Sequence, residues 1–362
     1  MHKPNRLTGI DLCRGLAAFA VILVHSGDET WGIPISESAI QFRYLFYFSV
    51  PFFLAVSFYF ATKKLPVKIS LNFWHKKFKR IVIPYLLWSF FYVISKSILF
   101  LVSNNSEKVF QLLADPIAII FLGGASYHLY FIPLLVSGTV CLCFANYLSR
   151  QRFSILFLSL LSVFSIIIYQ LSLIYKNDFN LAEYTAFPSL LQLIPVNSFL
   201  YSIWRIFLVN IAWFLRCLPY FMIAMLVNQL LQKKNSQWIY RKPTTTLLFF
   251  IFLLVNILGN NLLPRAVSEI AIAYSLLLFG ISVSQQIKDN TLITNLGLCS
   301  FGIYLIHPLI KSVIEIFLIK ILPQLTQNVS IISMLTYSIS SFLVSWLFIY
   351  LLRKNNKLSQ YV

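Results

Sequence analysis

Long apolar runs alternate with short polar breaks along this chain. A helix that crosses a hydrocarbon core of ~30 Å needs roughly 20 apolar residues, and by that measure the pattern predicts an all-α protein with about ten transmembrane helices. We expect them over residues 10–27, 42–62, 80–103, 128–148, 153–175, 206–231, 244–260, 267–286, 296–320 and 329–352. No linker or internal repeat divides them, which predicts a single membrane domain over residues 1–362.

Two further apolar stretches are too broken or too short to span. Residues 181–205 contain Pro188 and Pro195, and proline interrupts a helix because it lacks an amide donor. Residues 115–124 are short. We expect both stretches to lie at the membrane interface or to re-enter the membrane from one side.

Lysine and arginine are concentrated in alternate connections between the predicted helices. The set that begins with the N-terminus holds 19 of them, and the other set holds six. Cytoplasmic loops are enriched in these residues, so both termini are predicted to be cytoplasmic. The minority set comprises Arg43, Lys108, Lys176, Arg205, Arg265 and Lys320.

Composition excludes several classes of protein. The chain is 59% hydrophobic and 11% charged, whereas soluble domains carry about 25% charged residues. Five cysteines, an odd number, are too few for a secreted disulfide scaffold. The net charge of +18 comes in short bursts between apolar runs rather than on one basic face, so nucleic acid is not expected as a partner. A multi-pass protein of the cell membrane, with lipids as its surroundings, is the remaining class.

The first predicted helix carries ionisable groups at membrane depth, where they are costly and usually functional. Arg14 and His25 are eleven positions apart, which at ~100° per residue leaves them about 20° from a common line, with a rise of about 16 Å between them. Asp11 lies near the same line. A polar seam along one helix face is therefore predicted. In the simpler alternative, Asp11 and Arg14 form a structural pair and His25 sits at the interface.

A second histidine, His307, is followed by Pro308. The proline is expected to bend the helix and open a cavity. Lys311 and Glu315 follow at successive steps of four, a spacing that favours an ion pair. A pair of residues that only stabilises the kink is the structural alternative.

Three other residues are candidates for a site. His128 lies where a helix enters from the outer face, Arg216 lies within an apolar helix and needs an anionic partner or a polar cavity, and Arg80 lies at a helix mouth. Metal-binding spacings and phosphate-cradling glycine loops are missing from the sequence, so neither a metal site nor an ATP-driven pump is expected.

The stretch RLTGIDLCRGLAAFAVILVH resembles the first-helix signature of the acyltransferase 3 family, integral membrane enzymes that acylate sugars and other acceptors. An arginine and a histidine separated by ten residues mark that signature, here Arg14 and His25. The resemblance continues through 50–60, 79–88, 127–136, 215–227 and NLGLCSFGIYLIHPLI at 295–310. It covers nearly the whole chain in the same order and implies a ten-helix acyltransferase domain.

The resemblance implies transfer of an acyl group, most often acetyl, from cytoplasmic acyl-CoA to a hydroxyl of an extracytoplasmic glycan or lipid-linked sugar. Acyl-CoA would then be the donor substrate, with no permanently bound cofactor. Arg14, Arg80 and Arg216 are the candidates for binding its phosphates, because guanidinium groups pair bidentately with phosphate. His25, with Arg14, is the catalytic candidate as general base, and His128, His307 and Asp11 are the candidates for binding the acceptor.

Two alternatives remain open at this point. An acyl-histidine intermediate would replace direct attack by the acceptor hydroxyl. A proton-coupled transporter or a glycan flippase would use the same polar seam to conduct protons or substrate. The sequence leaves the acceptor, the acyl group and the oligomeric state undetermined.

Overall fold

The computed structural model describes residues 6–26, 35–63, 70–144, 154–196, 199–233, 236–287, 290–323, 328–355 and 357–361. Within these ranges the chain is helical, and extended pairing is limited to two isolated bridges. The α-helices are α1 (Thr8–Val24), α2 (Glu37–Tyr44), α3 (Ser49–Lys63), α4 (Leu71–Val102), α5 (Ser106–Leu113), α6 (Phe131–Gly138), α7 (Ile155–Ile174), α8 (Pro188–Leu191), α9 (Phe199–Leu231), α10 (Lys242–Leu262), α11 (Arg265–Val283), α12 (Thr291–Ile321) and α13 (Ile331–Lys354).

Eight helical segments of the described chain are long and apolar enough to cross a membrane, the segment Glu37–Lys63 counting as one. The prediction of an all-α, polytopic membrane protein is therefore confirmed. Of the ten predicted spans, two fall short of that length: α1, with 17 residues, and the apolar helix Phe131–Phe144. The ten-helix count and the cytoplasmic position of both termini stay predictions.

Several predicted boundaries were wrong. The helix predicted from residue 80 begins at Leu71, because the Ser70 side chain accepts a hydrogen bond from the amide of Phe73 at 3.2 Å and caps the N-terminus. The basic cluster 76–80 therefore lies on the helix itself. The span predicted over 42–62 is divided into α2 and α3 by a turn at 45–48, where the Leu45 carbonyl accepts a hydrogen bond from the Asn256 side chain.

The helix predicted over 128–148 is shorter than expected. Its regular part runs from Phe131 to Gly138. A turn at 139–140, where the amides of Val140 and Leu142 bond to carbonyls three residues back rather than four, separates it from a further helical stretch at 141–144. The tighter spacing ends the regular α-helix. Residues 145–148 of the prediction lie outside the described residues, as does residue 27 of the first predicted helix.

The stretch 181–205 was only partly predicted correctly. It begins as a loop with the short helix α8, whose first residue is Pro188, a position where proline costs no hydrogen bond. From Phe199 onward it is helical and forms the first two turns of α9, so the helix predicted from residue 206 starts earlier. Residues 118–122 form one π-helical turn, which agrees with the expectation that 115–124 does not span.

Packing divides the chain into two compact units. Residues 1–56, 233–360 and 362 form the first unit, and residues 57–232 and 361 form the second, with the boundary inside α3. In the first unit, α1 packs against α11, α12 and α13. In the second, α9 packs against α6 and α7. The family resemblance runs through both units. The single domain over 1–362 stays a prediction.

Candidate active site

The first part of α1 holds a buried carboxylate between two arginines. Asp11 is 5% exposed. It accepts hydrogen bonds from Nε and Nη2 of Arg6, the latter at 3.2 Å to Oδ1, while Nη1 of Arg14 lies 3.7 Å from the same Oδ1. The carboxylate is thus neutralised. The Arg14 side chain remains 26% exposed.

α12 approaches this carboxylate at a glycine. A Cβ atom placed on Gly297 would lie 2.3 Å from Oδ1 of Asp11 and 2.4 Å from its Cβ. Only a residue without a side chain fits there, because real Cβ atoms do not approach other heavy atoms so closely. The position of Asp11 on α1 is therefore fixed from two sides, by the arginines and by the backbone of α12.

The other end of α1 is tied to α13. The hydroxyl of Ser26 donates to the carbonyl of Ile22 at 2.8 Å, and the hydroxyl of Ser338 donates to Ser26 at 3.0 Å. Both serines are fully buried. His25 lies directly before this anchor, as the C-cap residue of α1, and is half-buried. Its imidazole is consequently carried by a fixed part of the backbone.

His25 and His307 come together at this end of α1. Their ring centroids are 6.1 Å apart and the ring planes differ by 23°. His307 is completely buried, and its Nδ1 lies 2.8 Å from the carbonyl oxygen of Tyr304. Because a carbonyl only accepts, Nδ1 carries the hydrogen and Nε2 is the accepting nitrogen of the neutral ring. The structure thus joins two histidines that the sequence identified on separate helices.

Two basic side chains, Lys311 and Arg43, act electrostatically on His25. Lys311, one turn beyond His307 on α12, is completely buried, and Coulomb interactions connect His25 with Lys311, His307 and Arg43. Arg43, on α2, has a buried Nε without a hydrogen-bond partner among the described residues. Lys311 also interacts electrostatically with Glu315, as its spacing in the sequence predicts, whereas the sequence predicts no site role for Arg43.

The remaining predicted site residues lie in the second unit. His128 is 2% exposed, and its ring contacts Tyr92 and Tyr127 at centroid distances of 5.2 and 5.6 Å. Arg216 is half-buried within α9, and Arg80 is exposed on α4. The seven predicted residues are therefore divided, with Asp11, Arg14, His25 and His307 in the first unit and Arg80, His128 and Arg216 in the second.

The second unit contains an ion pair that sequence reasoning missed. Nη1 and Nη2 of Arg205 donate to the two oxygens of Asp115 at 2.7 and 2.6 Å. Partial burial raises the pKa of Asp115, but the bonds from Arg205 and from the amide of Ala118 outweigh it, so the pKa lies below its ordinary value of 3.8. The signal was available, since Arg205 is a charged residue next to an apolar run.

The groups of the first unit suit acid–base chemistry on a neutral nucleophile. An imidazole can take a proton near neutral pH, and nearby cations stabilise an oxygen that becomes negative. At the opposite end of α1, a partly exposed arginine is a group that pairs well with anions.

Comparison with known proteins gives one family. A family model described as an acyltransferase domain matches residues 7–350, nearly the whole chain. No curated protein matches the chain, and no solved structure does. The match includes every candidate residue of both units. The chain therefore belongs to the acyltransferase 3 family and is a membrane acyltransferase.

Proposed function

We propose that this protein transfers an acyl group, acetyl in the first instance, from cytoplasmic acyl-CoA to a hydroxyl of a glycan or lipid-linked sugar on the opposite face of the cell membrane. The observation that carries the proposal is the arrangement along α1. A guanidinium lies near one end, and a pair of imidazoles lies at the other. Between Arg14 and His25 the helix rises about 16 Å.

This separation suits the shape of acyl-CoA. The phosphates are at one end of the molecule and the thioester at the other, joined by the slender pantetheine arm. Arg14 would hold phosphate. The roles of Arg80 and Arg216, which lie in the second unit, stay predictions from the sequence. With the arm extended along α1, the thioester would reach the neighbourhood of His25. No stably bound cofactor is needed for this chemistry.

His25 is proposed as the general base. Its unprotonated ring nitrogen accepts the proton of the acceptor hydroxyl while the hydroxyl oxygen attacks the thioester carbonyl carbon. A carbon–oxygen bond forms and a tetrahedral oxyanion develops. The carbon–sulfur bond then breaks, and the imidazolium returns the proton to the departing thiolate of coenzyme A. The reaction needs no further reactant.

His307 and Lys311 are proposed to assist this step. The hydrogen bond from Nδ1 of His307 to Tyr304 holds the ring that lies against His25, so His307 orients the base or the acceptor. Lys311, buried near both rings, supplies positive charge for the oxyanion. Asp11 keeps Arg14 in place, and His128 is assigned to the acceptor.

The test uses membranes that contain the full-length protein, incubated with acetyl-CoA labelled in the acetyl group and with the glycan fraction of the same cells. We expect label in the glycan and a mass increase of one acetyl group per modified sugar. Membranes without the protein are the control. A transporter or flippase would move substrate without transferring label, so unlabelled glycan together with transport activity would refute the proposal.

A further inference from the structure

The second unit carries a cluster of aromatic rings beside two buried donors, which the proposed mechanism does not use. The aromatic cluster consists of Tyr130, Phe179, Tyr184 and Trp213. Phe179 is central: its ring centroid lies 4.9 Å from Trp213, 5.7 Å from Tyr130 and 6.2 Å from Tyr184. Trp213 is almost fully buried, whereas the other three rings are half-buried. The rings of Tyr130, Phe179 and Tyr184 are therefore partly accessible, next to the buried ring of Trp213.

Two polar hydrogens on α9 are buried without an acceptor, and one of them belongs to the cluster. Nε1 of Trp213 and Nε of Arg205 have no hydrogen-bond partner among the described residues, although Trp213 is 1% exposed and Arg205 is 9% exposed. A buried donor without a partner is costly, and native proteins rarely leave one unexplained. An oxygen acceptor of a ligand would satisfy a hydrogen of this kind.

The segment that carries two of the rings is held in a strained shape. Tyr184 has a φ of 52° and Phe187 a φ of 51°, a left-handed conformation that bulky residues seldom adopt. The amides and carbonyls of Asn180 and Thr185 bond to each other at 2.8 and 3.3 Å and close the turn between them. Strain of this kind persists where the surroundings fix it, and such positions concentrate at ligand sites.

The ion pair is joined to the cluster through the stretch that follows Asp115. The backbone of Gly123 in that stretch lies directly against the backbone of Tyr130, a member of the cluster. Burial raises the pKa of Tyr184, and the negative charge of Asp115 raises it further. Asp115 is in turn bound by both terminal nitrogens of Arg205. The aromatic cluster and the ion pair therefore form one neighbourhood, with apolar ring faces and strong hydrogen-bonding groups side by side.

We propose that the aromatic cluster and the Asp115–Arg205 pair form a binding site for a sugar ring of the acceptor glycan. A pyranose has an apolar face of C–H groups, which packs on an aromatic ring, and hydroxyl groups around its edge, which accept from N–H donors and donate to carboxylates. Ligand sites combine apolar walls with a few placed polar groups in this way. The proposal rests on the function proposed above and names the residues that bind its acceptor.

The predicted topology agrees with an acceptor outside the cytoplasm. The connection after α7, which carries Phe179 and Tyr184, holds Lys176 from the minority set of basic residues. The connection that carries Asp115 holds Lys108 from the same set. The bias of lysine and arginine toward the cytoplasm therefore predicts both connections on the opposite face, where a surface glycan or a lipid-linked sugar is found.

The experiment measures acyl transfer by membranes of the full-length protein as the acceptor concentration is varied, with two acceptor preparations: the lipid-linked oligosaccharide and the oligosaccharide released from the surface glycan. Phe179→Ala should raise the acceptor KM about tenfold and leave the acetyl-CoA KM unchanged. Trp213→Phe keeps a ring and removes the N–H, and should raise the acceptor KM about fivefold. A response with either preparation supports a sugar site, and the preparation that responds identifies its source.

Matched controls separate recognition from folding. Phe164→Ala and Trp238→Phe make the same changes at exposed positions and should leave both KM values as in the wild type. Phe179→Leu keeps apolar volume without a ring face and should behave like Phe179→Ala. Acceptor KM values within twofold of the wild type, or a parallel rise of both KM values, would overturn the sugar site. Loss of transfer in the wild type itself would instead overturn the proposed function.

Discussion

Replacing His25 with alanine tests the proposed base directly. The residue is the C-cap of α1, is half-buried, and its ring stacks on the ring of His307. The substitution leaves the backbone hydrogen bonds of α1 in place. Losing one ring contact costs about 0.5–1.5 kcal/mol of stability. We therefore expect the variant to insert and fold.

The catalytic loss should be much larger than this structural one. A positioned general base contributes roughly 10²- to 10⁴-fold to a rate, which corresponds to about 2.7–5.4 kcal/mol in the barrier. The expected kcat for acyl transfer thus falls by at least about 100-fold, with the acetyl-CoA KM close to that of the wild type. A loss of this size without a loss of protein is the signature of a removed base rather than of a damaged fold.

The assay is the initial rate of label transfer from acetyl-CoA to glycan in membranes, normalised to the amount of protein found by immunoblot. His75→Ala is the matched control, because His75 is an exposed histidine on α4, and it should keep the wild-type rate. A His25→Ala rate within threefold of the wild type at saturating acceptor would refute the assignment. Release of coenzyme A in a burst before acceptor is added would favour an acyl-histidine intermediate over direct attack.

Three further predictions concern stability and donor binding. Gly297→Ala should lower the melting temperature in detergent by several degrees, since its Cβ would lie 2.3 Å from Asp11 and force α1 and α12 apart; an unchanged melting temperature would contradict the close packing. Because the pKa of Asp115 is lowered in the folded protein, its pairing with Arg205 stabilises the fold above pH 3.8, and this stabilisation is lost as the pH falls through the folded pKa. The melting temperature of Asp115→Asn should therefore fall less on acidification than that of the wild type. The same pH dependence of the melting temperature in both proteins would refute this. Arg14→Lys should raise the acetyl-CoA KM about tenfold, because lysine cannot pair bidentately with phosphate, and an unchanged KM would remove Arg14 from the donor site.

The apolar runs predicted most of the helices because each run is long and nearly free of charge. Boundaries were less predictable where the signal is a local hydrogen bond. α4, capped by Ser70, begins nine residues before the predicted start, in a region where the lysines suggest a loop. α9 likewise begins seven residues earlier than predicted, because Pro195 precedes the helix and interrupts nothing. Hydropathy alone does not report either feature.

The candidate site also combines features that follow from local sequence with contacts that depend on how helices pack. Helical geometry places Arg14 and His25 on one face of α1, and the sequence alone was enough to propose them together. The stacking of His25 on His307 could not be predicted, because it depends on how α1 and α12 pack. The proximity of Arg43 on α2 depends on a third helix. Spacing along one helix is readable from sequence, whereas contacts between helices require the fold.

Lys311 shows why the difference matters for chemistry. From the sequence, its spacing from Glu315 favours an ordinary ion pair on one helix face. In the fold, the lysine is completely buried and acts electrostatically on His25 as well as on Glu315. A buried cation is costly inside a membrane protein unless it is used, and an oxyanion forming near His25 would use it. The four-residue spacing alone favours the structural pair, whereas the complete burial of Lys311 favours the role proposed for it in stabilising an oxyanion.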